Sequence, residues 1–207
     1  MTAVEVFVVI AMVFILAVMF LSTIARRRAE HMGINCVSNL KQVDLSFRIW
    51  EEDNNNKYPM AVSVTNGGAR ELIATGGVAT CYQVMSNELS TPKILICPED
   101  RIHTYATNFD NDFNASHISY FVGANVTNET NSAMLLVGDD NFQINGSIVP
   151  SGMLQLATNA PISWTAARHK HVGNIGMADG SVFEVSTLQL QEALQQTGMA
   201  TNRLAIP

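Results

Sequence analysis

The sequence predicts an α+β fold in which one long N-terminal helix packs on a small antiparallel sheet. Three observations predict it. Residues 6–21 are apolar without exception, and Glu5 is the only charge before Ala25. Beyond them Ala29, Met32, Cys36, Leu40, Val43, Phe47 and Trp50 recur at spacings of three and four, the apolar stripe of an amphipathic helix. The C-terminal half then breaks into short apolar runs separated by turn formers, with Asp179-Gly180 between two of them as a hairpin signal.

The first run needs a solvent other than water. At about 1.5 Å per residue, roughly 20 helical residues cross the ~30 Å hydrocarbon layer. A cleaved secretory signal has a charged start, a shorter apolar run and a small-residue cleavage site; these features are missing here, and the segment reads as retained. There is no proline between Ala25 and Glu52 and only one glycine, Gly33. The apolar and striped halves therefore join into one helix of about 50 residues, far beyond the ~10–14 usual in globular proteins. Residues 1–25 form its greasy half and 26–53 its amphipathic half, with a head domain over 54–207.

The turn formers Asp53-Asn54-Asn55-Asn56, then Tyr58-Pro59, end the helix. Segments 69–74 and 79–89 read as weak helices, and 93–97, 118–123 and 133–138 as short strands. Residues 110–130 are rich in Asn, Asp, Ser and Thr and read as an exposed loop around one strand. Segments 175–178 and 181–185 form the arms of the Asp179-Gly180 hairpin. Ser186-Thr187-Leu188-Gln189 is a capping box for a last helix that Gly198 closes.

Charge excludes some partners. The net charge is -6, and residues 54–207 hold seven Lys/Arg against twelve Asp/Glu, an acidic balance that argues against a nucleic-acid partner. Arg26, Arg27 and Arg28 are the one dense basic cluster. Taken alone, the positive-inside tendency assigns that end to the cytoplasm, against the orientation that the rest of the sequence favours. No nucleophile motif surrounds any serine, and no enzyme activity is expected.

The N-terminus, Met1-Thr2-Ala3-Val4-Glu5-Val6 followed by the apolar run, resembles the type IV pilins and the pseudopilins of type II secretion. Mature chains there begin with methionine or an aromatic residue and carry Glu as the fifth. The resemblance implies a leader already removed by a prepilin peptidase, and a methylated Met1 amine. Three further stretches are similar to a pilin-like family of planctomycetes and verrucomicrobia. They are Cys36-Val37-Ser38-Asn39-Leu40-Lys41-Gln42, then Leu95-Ile96-Cys97-Pro98, then His169 with nine residues before Asp179-Gly180. Residues 85–93 and the closing 201–207 resemble its verrucomicrobial branch. One departure is that Ser22-Thr23 stand where pilins usually carry a helix-loosening proline.

That resemblance implies a pilin fold and a function. The chain would be a structural subunit of an extracellular type IV pilus-like or pseudopilus filament, held in the inner membrane before assembly. Its partners would be copies of itself, the prepilin peptidase and the assembly machinery, with no cofactor. A minor pseudopilin of a secretion system and a monomeric membrane-anchored surface-binding protein are the alternatives. Glu5 and Met1 are the assembly residues, the carboxylate of one subunit meeting the terminal amine of a neighbour. Cys36, on the stripe, and Cys97, after an expected core strand, both belong to family motifs and are expected to form a disulfide that leaves Cys81 over. Such a bond would contribute on the order of 4 kcal/mol.

The sequence does not favour metal binding. His169, His171 and Asp179 offer zinc donors, but Asp179-Gly180 is accounted for by the turn and His169 by hydrogen bonding to backbone at the hairpin's base. Asp139-Asp140-Asn141 and 53–56 lack the spacing of a calcium loop. Four Asn-x-Ser/Thr sequons, at Asn114, Asn125, Asn128 and Asn145, fall in polar segments expected to be exposed.

Overall fold

A computed structural model describes residues 3–110 and 112–207, and side chains except those of 22–31. Helix α1 spans Ala3–Asp53 as one element, including the Ser22-Thr23 position. The chain divides into two compact units, Met1–Ile34 and Asn35–Pro207. The break falls inside α1 rather than at its end. The reason is packing: Cys36, Leu40, Val43 and Phe47 are fully buried and Trp50 nearly so, which makes residues 35–53 part of the head's core.

In the first unit, Ala3–Leu21 has a mean hydropathy of 3.0 and none of it is buried. Its length and composition suffice to cross a membrane, and a signal sequence near an N-terminus meets the same test. Phe7 and Phe14, seven residues apart on one side, and Phe20 on another all stand about 70% exposed (73%, 69% and 72%).

In the second unit, a six-stranded sheet carries the architecture. Its strands are β1 (Tyr120–Gly123), β2 (Leu135–Asp139), β5 (Gly152–Ala157), β7 (Val172–Met177), β8 (Val182–Ser186) and β9 (Thr201–Ile206). They lie in the order β5-β9-β1-β2-β7-β8 with every pairing antiparallel. A three-stranded sheet joins β3 (Phe142–Ile144), β4 (Ser147–Ile148) and β6 (Ile162–Trp164) in the order β4-β3-β6. The fold class is thus the one that the sequence predicts.

Both faces of the large sheet are covered, and alternation along the strands shows it. Tyr120 and Val122 of β1 face the core built on α1, with the short helices α2 (Arg70–Ile73), α3 (Val78–Val84) and α4 (Ser86–Leu89) around it. Phe121 between them faces a second core under α5 (Thr187–Gln196) and the small sheet, where Phe142 stacks on Trp164 at 4.8 Å. β9 alternates likewise, with Leu204 and Ile206 on the α5 side and Ala205 on the α1 side.

Local differences from expectation have local causes. Residues 93–97 form no strand: Pro92 opens a 3-10 turn, Pro92–Leu95, and the Thr91 side chain caps it by accepting from the Lys93 amide. Cys97 therefore follows a turn, not a core strand. The segment 79–89 splits into α3 and α4 at Met85. Residues 110–130 are less exposed than their polarity suggests, since Phe113, Ile118 and Val126 are buried there and β1 is a central strand. The Ser186–Gln189 capping box forms as expected, and Gly198 follows α5 at φ +69°.

A buried cluster of two thiols, a histidine and an aspartate

Four elements of the head converge on one polar cluster inside the core. Cys36 comes from the buried stripe of α1. Cys97 follows the Pro92–Leu95 turn, which is tied to α1 by the Asn39 side chain donating to the Ile96 carbonyl at 3.1 Å. Asp139 ends β2, directly opposite Tyr120 of β1. His169 precedes β7. Cys36, Cys97 and Asp139 are fully buried, and the His169 side chain is 2% exposed.

The ligating atoms of the four all lie within 4.8 Å of one another. Cys97 Sγ is 3.1 Å from His169 Nε2, and that nitrogen is 3.5 Å from Asp139 Oδ2. Cys36 Sγ is 3.5 Å from Asp139 Oδ1 and 3.3 Å from the Tyr120 hydroxyl. A surrounding layer fixes these groups. Asn174 of β7 donates to Asp139 Oδ2 through its backbone N–H at 2.7 Å and its side chain at 2.9 Å. Glu99 Oε2 accepts from the His169 backbone N–H at 2.9 Å and lies 3.4 Å from its Nδ1.

The chain bends sharply to present His169. His169, Lys170 and His171 all have positive φ, at 51°, 52° and 68°. Three consecutive non-glycine residues in the left-handed region cost roughly 1–2 kcal/mol each. Such strain persists only where the surroundings over-determine it, and it gathers at functional sites.

Electrostatics favour a charged cluster. The Cys36 hydrogen bond, helped by His169, outweighs burial and holds the Cys97 thiol down at about 6. Burial works against charge on His169, but the Cys97 sulfur and Asp139 raise it to about 9. Burial pushes Cys36 well up. Next to the cluster, Arg168 Nη1 lies 3.3 Å from Asp100 Oδ2 and 3.9 Å from Asp139 Oδ1, and its Nη2 pairs with Asp140. Despite its burial, Asp100 is held below the usual carboxylate range by His103 and Arg168. Asp100, His103 and Asp140 form a second donor group.

Sequence-predicted residues fare differently. Cys36 and Cys97 are brought together, as free thiols and not as the expected disulfide. Cys81 is also free and buried, outside the cluster. Contrary to the expectation of a backbone hydrogen bond, the His169 ring meets the Cys97, Asp139 and Glu99 side chains among the described residues. Asp179 does not join it. One Asp179 oxygen accepts from the Ser181 backbone at 3.0 Å and hydroxyl at 2.6 Å, closing the β7–β8 turn. His171 Nδ1 lies 3.4 Å from the Trp164 carbonyl. Glu5 is exposed in the first turn of α1, and Met1 lies outside the described residues.

Sequence reasoning missed Asp139 as a partner of the two cysteines and the histidine. The available signal was that Cys36, Cys97 and His169 belong to three separate stretches of one resemblance. Chemically, Cys97, His169 and Asp139 resemble a nucleophile, base and orienting acid, with the Cys97 thiol fully buried. A closed set of donors suits metal ligation or sulfur pairing. The chain matches no protein-family model, no curated protein and no solved structure.

Proposed function

We propose that this chain is a structural subunit of a type IV pilus-like or pseudopilus filament, anchored in a membrane before assembly and packed through α1 in the fibre. The observation that carries the reading is Ala3–Leu21: apolar on every side, unburied throughout, and headed by a carboxylate at Glu5. Burying apolar surface is worth about 25 cal/mol per Å², so a helix apolar all round needs lipid or other helices against it. A bundle of copies of this helix supplies such cover outside the membrane. The resemblance of Met1–Glu5 and the following run to the start of mature pilins favours assembly over simple anchoring.

Glu5 gives the assembly its register. A carboxylate in a low-dielectric bundle requires a cation close by. The terminal amine of a neighbouring Met1 is the group at that depth, since Arg26, the nearest basic side chain in sequence, lies some 30 Å along the helix. The head, with its α1 half locked into the core, would then form the outer surface of the fibre. No enzyme activity belongs to this reading.

Electron microscopy of material sheared from the cell surface, with mass spectrometry of the fibres, tests the proposal. Fibres built chiefly of this chain, starting at a processed N-terminus, are the expected result. Trace amounts within fibres of another subunit would make it a minor pseudopilin. An unprocessed chain found only in membranes would make it an anchored monomer.

A further inference from the structure

We propose that Cys36, Cys97, His169 and Asp139 form a closed structural site for Zn2+. The donor set is two sulfurs, one imidazole nitrogen and one carboxylate oxygen, all within 4.8 Å of one another and buried. In a tetrahedral zinc centre with Zn–S near 2.3 Å and Zn–N or Zn–O near 2.0–2.1 Å, neighbouring ligand atoms lie about 3.3–3.8 Å apart. Cys97 Sγ lies 3.1 Å from His169 Nε2, Cys36 Sγ 3.5 Å from Asp139 Oδ1, and the same nitrogen 3.5 Å from the other carboxylate oxygen, Oδ2; with all four donors within 4.8 Å, shifts of up to about 1 Å bring Oδ1 and the rest to that geometry.

The surroundings are those of ligands held for a metal. Nε2 of His169 faces the cluster while Nδ1 faces Glu99 at 3.4 Å, the carboxylate–histidine arrangement that fixes tautomer and ring plane in zinc sites. One oxygen of Asp139 is occupied by two donors from Asn174, which leaves the other turned to Cys36 and Arg168. Two thiolates, one carboxylate and Zn2+ sum to a single negative charge, and Arg168 Nη1 at 3.9 Å from Asp139 offsets it. The strained turn at His169–His171 is accounted for if it delivers a ligand.

Two thiolates with an imidazole select zinc over calcium or magnesium, which want oxygen. Four protein ligands with no open position make the site structural rather than catalytic. It would clamp α1 to the turn after Pro92–Leu95, the end of β2 and the start of β7. A Cys36–Cys97 disulfide would use the sulfurs alone and leave His169 and Asp139 only each other as partners within the cluster. The neighbouring group of Asp100, His103 and Asp140 is a weaker candidate, because Arg168 already serves it as a cation. This site is independent of the filament reading: either can fail alone.

The test uses the full chain purified in detergent under conditions that do not strip metal. Expected are about one Zn2+ per chain and, after exchange to Co2+, thiolate-to-cobalt charge-transfer absorption with the intense d–d bands of a tetrahedral centre. Chelation should speed alkylation of Cys36 and Cys97 but not of Cys81, which burial shields with or without metal, and the thermal transition should fall on chelation and return with Zn2+. Cys81→Ser should keep the metal, and Cys36→Ser and His169→Gln should lose it. If those variants do not fold, the cobalt spectrum of the native chain still decides. A metal-free chain with a Cys36–Cys97 disulfide on peptide mapping, a cobalt form without the thiolate band, or full zinc content in a folded His169→Gln would each overturn the assignment.

Discussion

Asp44 sits on α1 beneath the β7–β8 turn, 1% exposed, and its Oδ1 has no hydrogen-bond partner among the described residues. Burial lifts its carboxyl to about 7, with Arg48 opposing and Asp179 assisting the rise. A raised acid pKa in the folded state means that folding is most favoured while the group is protonated. Stability is therefore full below about pH 4 and is lost as pH rises through 7. The shift corresponds to on the order of 4 kcal/mol at most. Asp44→Asn should abolish that loss, so denaturation midpoints of the two proteins should meet near pH 4 and separate by pH 8, the variant being the more stable. Parallel curves would refute the burial argument.

Gly180 turns the same hairpin at φ +89°, and a Cβ there would stand 3.1 Å from Arg48 Nη1 and 3.3 Å from Asp44 Oδ2. Conformation and close approach both call for glycine. Gly180→Ala should cost about 1–3 kcal/mol in urea denaturation, and a neutral result would mean that the turn does not dock as described. The His-(nine residues)-Asp-Gly motif thus has two jobs here. Its histidine enters the buried cluster, while its Asp-Gly closes the turn that lies against α1.

At the scale of elements, α5 depends on its first residues. Ser186 Oγ accepts from the Gln189 amide at 3.4 Å, and the Gln189 side chain accepts from the Ser186 backbone at 2.9 Å. Ser186→Ala should cost about 1 kcal/mol, read as a lower midpoint; an unchanged midpoint would show that burial of Leu190 and Leu194 alone sets the helix. This box was legible because capping is a local code. So was the α1 stripe, whose Cys36–Trp50 portion faces the core at the predicted positions. Strands β3, β4, β5, β6 and β9 were not legible. β9, Thr201–Ile206, alternates between two cores, so neither face reads as solvent and period two disappears from its sequence. The 93–97 error has a different source: a β-like composition overruled by Pro92 and its Thr91 cap. The cluster could not be read from spacing at all, because its four members are brought together by tertiary pairing across 133 residues of chain, from Cys36 to His169.

Over the whole molecule, two regions face opposite requirements. Ala3–Leu21 leaves apolar side chains outward on every side, while residues 35–53 of the same helix lie in the core of the head. The proposed filament would satisfy the first requirement with helices in place of lipid, and it is at Glu5 that the two environments would differ most. A carboxylate costs free energy within a bilayer, whereas in the fibre it would pair with a neighbour's Met1 amine. Glu5→Leu removes the cost at the membrane stage and the pair at the fibre stage; Glu5→Gln removes the charge while keeping the shape. Leaving one member of such a buried pair alone costs roughly 3–5 kcal/mol. The decisive measurement is the yield of surface fibres at matched membrane levels of native, Glu5→Leu and Glu5→Gln protein. The account predicts normal insertion and a folded head for both variants, with few or no fibres; native fibre numbers from both would contradict it.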